Sequence, residues 1–360
     1  MTARHATVGA AATATGVRAV DPHAAAGPET KSRVDLVLEG GGVKGIAFVG
    51  ALQKLCAQHT VRRVAGTSAG AVAGALLAAG YTVPELEETL RGMPFASFED
   101  GWARHFGKPG AALAFLLHNG VFKGDALHAW IEKRLARKNV VTFKDLRHEE
   151  PGDDPRTPPY RLVVTVSDIS RGRELHLPWD CEQLCGLDPD RMKVADAVRA
   201  SASIPFFFRP VPLKCGPEQG SERLVLVDGG MLSNFPVALF DRRDGRPPRW
   251  PTWGLKLSMR TTPAQDWRPA GNPVTLVQRL ISTMTDAHDR LHINDPSVQE
   301  RTVFIDTGRV RSTDFLLTRE QADYLLAQGQ KAAGTFLSTW DFPRWLDRWH
   351  PRPDTAAAAG

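Results

Sequence analysis

Val34-Asp35-Leu36-Val37-Leu38 runs directly into Glu39-Gly40-Gly41-Gly42-Val43-Lys44-Gly45, after which Ile46, Val49, Leu52 and Leu55 recur every three residues. The apolar run suits a strand buried on both faces, the glycines suit a tight turn, and the spacing suits one face of a helix. The pattern then repeats. Val61 to Ala65 leads into Gly66-Thr67-Ser68-Ala69-Gly70, and small residues continue in helical fashion to about Ala79. Two strand–turn–helix units in about 45 residues predict an α/β fold, with a mostly parallel central sheet between helical layers.

Outward from this stretch, Pro84 heads a helix at Glu85–Arg91, and Asp125–Lys138 reads as a helix with its basic residues late, where they favour the dipole. Strands are expected at Arg161–Ser167, Leu224–Val227, Trp253–Ser258 and Val303–Ile305, and helices at Ala195–Ser203, Val274–Leu291 and Arg319–Thr339. Residues 149–159 and 245–251 are Pro-rich surface loops. A single α/β domain is expected over 33–345, with an aromatic, lid-like insertion at about 93–120. Ala-rich disordered segments are expected at 1–32 and 346–360.

The composition narrows the classes. With 360 residues, 42% hydrophobic and 24% charged, the chain is neither fibrous nor wholly disordered. A net charge of +5 is mild, and the dispersed Lys and Arg argue against a nucleic-acid partner. Cys56, Cys181, Cys185 and Cys215 are too few for a disulfide scaffold, and the 181/185 spacing is poor for zinc. They read as reduced structural thiols of a cytoplasmic protein. No run approaches the roughly 18 apolar residues of a membrane span.

Three elements carry chemistry. Gly66-Thr67-Ser68-Ala69-Gly70 is a G-x-S-x-G placed where a strand turns into a helix, as a nucleophile elbow requires. Gly40 to Gly45 matches G-x-G-x-x-G, which serves either a dinucleotide or an oxyanion. The acidic residue that would bind a ribose about 20 residues on is missing, and Arg62 and Arg63 stand there instead. Asp228-Gly229-Gly230 ends a predicted strand on the edge where α/β sheets place ligands. In a triad of α/β-hydrolase order, His288, His292 or His350 would have to serve as the base.

Taken together, and in this order, these elements resemble the patatin-like phospholipase family. So do Asn119-Gly120-Val121-Phe122-Lys123-Gly124, Ser201-Ala202-Ser203-Ile204-Pro205-Phe206-Phe207 and Asp228-Gly229-Gly230-Met231-Leu232-Ser233-Asn234-Phe235-Pro236. Glu39 departs from the Asp that many members carry before the glycines, though a carboxylate is retained. The resemblance implies a Ser–Asp dyad with Ser68 as nucleophile and Asp228 as proton acceptor. It implies an oxyanion hole from the backbone of Gly40, Gly41, Gly42 and Val43, supported by Lys44, Gly45, Gly66, Gly70, Gly229 and Gly230, with no metal and no cofactor. The implied activity is hydrolysis of lipid carboxylic esters through an acyl-enzyme.

The aromatic stretch at 93–120 and Phe206 to Phe208 are expected to border an acyl pocket or touch a bilayer, making contact with membranes peripheral. Two rival readings remain at this point. One is an effector, secreted or not, whose hydrolase needs a ligand or partner. The other is a nucleotide-binding module using Gly40 to Gly45.

Overall fold

The computed structural model describes residues 31–98, 100, 120–220, 222–257, 295–312, 314 and 317–351. The opening stretch folds as its pattern requires. β1 (Ser32–Leu38) has five consecutive buried residues from Leu38 back to Val34, and a 3₁₀ turn at Gly42–Gly45 feeds α1 (Ile46–Gln58). β2 (His59–Thr67) turns sharply into α2 (Ala69–Ala78). α3 (Val83–Arg91) begins at a capping box between Thr82 and Glu85, which satisfies orphan N–H groups at both ends of the turn.

β3 (Gly120–Phe122) and α4 (Asp125–Ala136) follow, then β4 (Leu162–Asp168), β5 (Arg173–Leu177), α5 (Cys181–Cys185) and α6 (Val194–Ser201). Next come β6 (Phe206–Phe208), β7 (Val211–Lys214), β8 (Arg223–Asp228) and β9 (Thr252–Lys256). The last described elements are α7 (Pro296–Glu300), β10 (Thr302–Phe304), α8 (Arg319–Thr339) and α9 (Phe342–Trp349).

The main sheet has the order β10-β9-β1-β2-β4-β8-β7, with β5 also on β4. Pairs β10–β9, β9–β1, β1–β2 and β2–β4 are parallel, whereas β4–β5, β4–β8 and β7–β8 are antiparallel. The sheet is thus mostly parallel, with an antiparallel flank on the β4 side. β3 and β6 form a separate parallel pair.

Alternation along the strands divides the core. Leu36, Leu38, Val64, Leu162 and Val164 join the large cluster with α1, α2 and α8. Val37, Ala65 and Val163 point the other way, onto Phe235, Val237, Leu239, Phe240 and Val298. Among the described residues, this second face is covered by a 3₁₀ segment and the short α7 rather than by long helices. Each fully buried Leu or Val contributes about 1.5–3 kcal/mol.

Several boundaries move. The helix expected to run to Ser203 stops at Ser201, because Pro205 lies ahead and the backbone before a proline avoids the helical region. The helix expected to Lys138 ends at Ala136, and the strand expected to Ser258 ends at Lys256. The disordered tail expected from 346 is corrected in its first residues, since 346–349 complete α9, which Trp345 anchors by burial. The expected helix at 274–291, most of the lid-like stretch, the leader at 1–30 and the tail from 352 lie outside the described residues. No helix among the described residues is long and apolar enough to cross a membrane.

Candidate active site

β2 delivers Ser68. This residue caps the N-terminus of α2 with φ 51° and ψ −117°, a backbone region that costs a non-glycine residue on the order of 1–3 kcal/mol. Flanking glycines make the bend feasible. A Cβ on Gly66 would stand 2.3 Å from the Gly70 carbonyl oxygen, and one on Gly70 would stand 2.2 Å from that of Leu38. The Ser68 N–H donates to Ser201 Oγ at 2.8 Å, and the Ser68 carbonyl accepts the Val72 N–H at 3.1 Å.

β8 delivers Asp228, which is buried at 7% exposure. Its N–H donates to the Ser203 carbonyl at 2.9 Å, and its Oδ1 accepts the Gly230 N–H at 2.9 Å. Burial pushes the Asp228 pKa up to about 6, while the Ser68 hydroxyl and the Gly230 N–H pull in the other direction. β2 and β8 are brought together by β4, on which Thr67 pairs with Thr165 and Asp228 pairs with Val166.

The glycine loop packs against Ser68, since a Cβ on Gly40 would stand 3.3 Å from Ser68 Cβ. The Gly40 N–H donates to the Asn234 carbonyl at 3.4 Å, and the Val43 N–H to the Ser312 carbonyl at 3.1 Å. The N–H groups of Gly41 and Gly42 carry no backbone hydrogen bond among the described residues. Gly42 has φ +55°, and the Ser312 carbonyl occupies the place a Cβ would take, so no side chain fits there. Lys44 Nζ donates to the Leu257 carbonyl at 3.3 Å.

Glu39 sits beneath this loop. Its buried carboxylate pairs with Lys256 of β9 and accepts the Leu257 N–H and, at 3.4 Å, Asn234 Nδ2. Asn234 Nδ2 also donates to the Gly40 carbonyl at 3.4 Å. A buried carboxylate must be paired and hydrogen-bonded, and here its partners come from the segments that fix the glycine loop.

The structure therefore gathers Ser68, Asp228 and Gly40 to Gly45 in one place, with Gly66, Gly70, Gly229 and Gly230 where backbones meet. Among the alternative bases, only His350 is described. His350 packs on Trp345 with ring centroids 5.1 Å apart, and His288 and His292 lie outside the described residues. Phe206 to Phe208 divide in role. Phe208 is buried under the Arg199 guanidinium, Phe207 stacks edge-on against Phe122, and Phe206 is 39% exposed with φ 69°. Cys181, Cys185 and Cys215 are buried free thiols. Cys181 Sγ contacts Met192 Sδ at 3.4 Å, and burial pushes the Cys185 thiol up to about 12. No group of three His, Cys, Asp or Glu among the described residues could hold a metal ion.

Sequence reasoning gives no role to Ser201, Ser203 or Asn234, although they lie in the quoted family-like stretches, and it passes over Arg199 and Lys256. The available signal was a run of small polar residues at a helix end just before a proline. For Lys256, a lone charge in an otherwise apolar strand was the signal.

Comparison with known proteins gives the family. A family model described as patatin-like phospholipase matches residues 36–241. The chain is 35% identical over 313 residues to the uncharacterized protein YqhO of Bacillus subtilis strain 168, covering 86% of this chain and 99% of that one. It is 24% identical over 212 residues to a probable lipid hydrolase, 463L, of invertebrate iridescent virus 6, covering 56% of this chain and 61% of the viral one. Among solved structures, VipD from Legionella pneumophila aligns with 18% identity and a TM-score of 0.47, over 87% of this chain and 67% of its own. ExoU from the type III secretion system of Pseudomonas aeruginosa, solved in complex with SpcU, aligns with 16% identity and a TM-score of 0.44, over 91% and 60%. The family model takes in the glycine loop, Ser68 and Asp228 and covers more than half of the sequence, so the chain belongs to the patatin-like phospholipase family.

Proposed function

We propose that the protein is a serine lipid acyl hydrolase that cleaves carboxylic esters of lipids through Ser68 and Asp228. The observation that carries this reading is the strained Ser68 facing a buried carboxylate whose pKa is raised to about 6. An ordinary aspartate, with a pKa of about 3.9, is a poor base at neutral pH. Raising it by about two units brings it nearer to the operating range of a proton acceptor.

Ser68 Oγ attacks the ester carbonyl carbon as its proton passes to Asp228. The carbonyl π electrons move to oxygen, and the N–H groups of Gly41 and Gly42, which carry no backbone hydrogen bond among the described residues, receive that negative charge. The N–H groups of Gly40 and Val43 are already committed to carbonyls, which narrows the oxyanion donors to these two. Collapse expels the alcohol oxygen, which takes the proton from Asp228 and leaves an acyl-Ser68 ester. Water then attacks that ester and gives a proton to Asp228. Departure of the fatty acid returns the proton to Ser68.

Phe206, exposed three residues after Ser203, is consistent with contact between the protein and an acyl chain or lipid surface. The test is incubation with mixed phospholipids and neutral esters, read by mass spectrometry of released fatty acids and lysolipids. Release by the wild type and none by Ser68→Ala is expected. Equal release by both would refute the reading.

A further inference from the structure

We propose that Ser201 is a positioning residue that holds the nucleophile elbow in its reactive geometry. This rests on the reading of Ser68 as the nucleophile. Ser201 is the last residue of α6 and is fully buried. Its Oγ accepts the Ser68 N–H at 2.8 Å and donates to the Thr165 carbonyl at 2.7 Å. A hydroxyl suits this place because it accepts and donates at once. Thr165 is itself the register partner of Thr67. The Ser201 hydroxyl therefore closes a loop from the end of β2, through the strained residue, back to the neighbouring strand.

The same turn reaches the other partner. Two residues on, the Ser203 carbonyl accepts the Asp228 N–H at 2.9 Å. Arg199, 5% exposed, makes that turn stiff. Its guanidinium donates to Ser203 Oγ and to the carbonyls of Lys123 at 2.7 Å, Gly124 at 3.0 Å and Arg209 at 3.2 Å. The separation of Ser68 and Asp228 is thus set from one short segment, with Ser201 holding one and Ser203 the other. Neither serine touches the reacting atoms.

Removing the Ser201 hydroxyl leaves the Ser68 N–H and the Thr165 carbonyl without this bridge, and the elbow relaxes toward an unstrained backbone. Small misplacements of reacting groups cost up to about 100-fold in rate. Ser201→Ala is expected to lower kcat about 10- to 100-fold with KM held within about twofold, the signature of a role beyond uniform binding. Labelling of Ser68 by a fluorophosphonate is expected to slow by the same factor, since it uses the same oxygen. Ser201→Thr keeps the hydroxyl and is expected to recover most of both rates. Ser201→Cys keeps the shape with a weak acceptor and is expected to fold and remain slow.

Thr302→Val, which removes a buried hydroxyl bonded to the Val298 carbonyl at 2.6 Å far from Ser68 in sequence, controls for lost stability. It is expected to lower the melting temperature and leave kcat and labelling unchanged. Wild-type kcat and labelling in Ser201→Ala or Ser201→Cys would overturn the proposal, as would equal slowing in Thr302→Val. If wild-type Ser68 itself neither labels nor hydrolyses lipid, the functional reading falls and this inference falls with it.

Discussion

Thr67 and Asp228 pair with adjacent residues of β4, Thr165 and Val166, although β2 runs parallel to β4 and β8 runs against it. Two strands arriving from opposite directions end at one point along a common neighbour. Ser68 follows the first by one residue, and Asp228 closes the second. β4 acts as the ruler on which the pair is measured out.

From this placement, Ser68→Ala and Asp228→Ala should each reduce ester hydrolysis by about 10³-fold or more in folded protein. Fatty-acid release measured beside an unchanged circular-dichroism spectrum checks this. His350→Ala should retain wild-type rates, because His350 is engaged with Trp345.

The raised Asp228 pKa predicts how activity follows pH. The base must be ionised, so kcat/KM should rise with pH through an apparent pKa near 6 and fall away in acid. A profile measured between pH 4 and 9 should lose this limb in any residual activity of Asp228→Asn.

The same shift predicts a stability cost with a defined sign. The folded pKa lies above the unfolded value, so the native state binds the proton more tightly, and stability is lost as pH rises from about 4 through about 6. Above that range the buried charge costs on the order of 2–3 kcal/mol. Asp228→Asn should therefore be more stable than the wild type at pH 8, with the gap closing below pH 4. Urea denaturation at the two pH values checks it.

Glu39 and Lys256 form a buried ion pair, so removing either takes an opposite charge away from the other. Lys256→Met should cost about 3–5 kcal/mol, and adding Glu39→Gln should return most of it. A double-mutant cycle measures that coupling. The double variant should still hydrolyse ester more slowly, because Asn234 and Leu257 lose the carboxylate that fixes them beside the glycine loop.

The turn at Ser68 is intolerant of side chains. Gly70→Ala would push a methyl against the Leu38 carbonyl, and Gly66→Ala would push one against Gly70. Neither obstacle is a flexible side chain, so each variant should lose at least about 3 kcal/mol. Soluble yield and thermal midpoint report it.

Local pattern explains what the sequence discloses. Both strand–turn–helix units, the glycine loop, Ser68 and Asp228 are written in consecutive residues, and each appears where periodicity and turn chemistry put it. α8 spans Arg319–Thr339, as its spacing implies. The flank strands were hidden. β7 contains Pro212, which demotes a strand by pattern, and β5 is a five-residue Arg-Glu-Leu-His-Leu run with little to mark it. Glu39 and Lys256 stand 217 residues apart, a separation that no period encodes. Ser201 and Ser203 read as the end of a helix, and their bonds to Ser68 and Asp228 exist only once α6 meets the sheet.

That β4 aligns Ser68 with a residue 160 positions later has a consequence for biosynthesis. The ribosome releases the elbow early, with the bend and its glycines already encoded. The proton acceptor follows only after β4 and α6 have been made, and it docks through long-range pairing, which is slow to form. On the proposed reading, a nascent chain that ends before β8 carries its nucleophile with nothing to deprotonate it. On that reading, hydrolysis cannot begin before β8 has paired with β4, so activity reports that this flank of the sheet has formed.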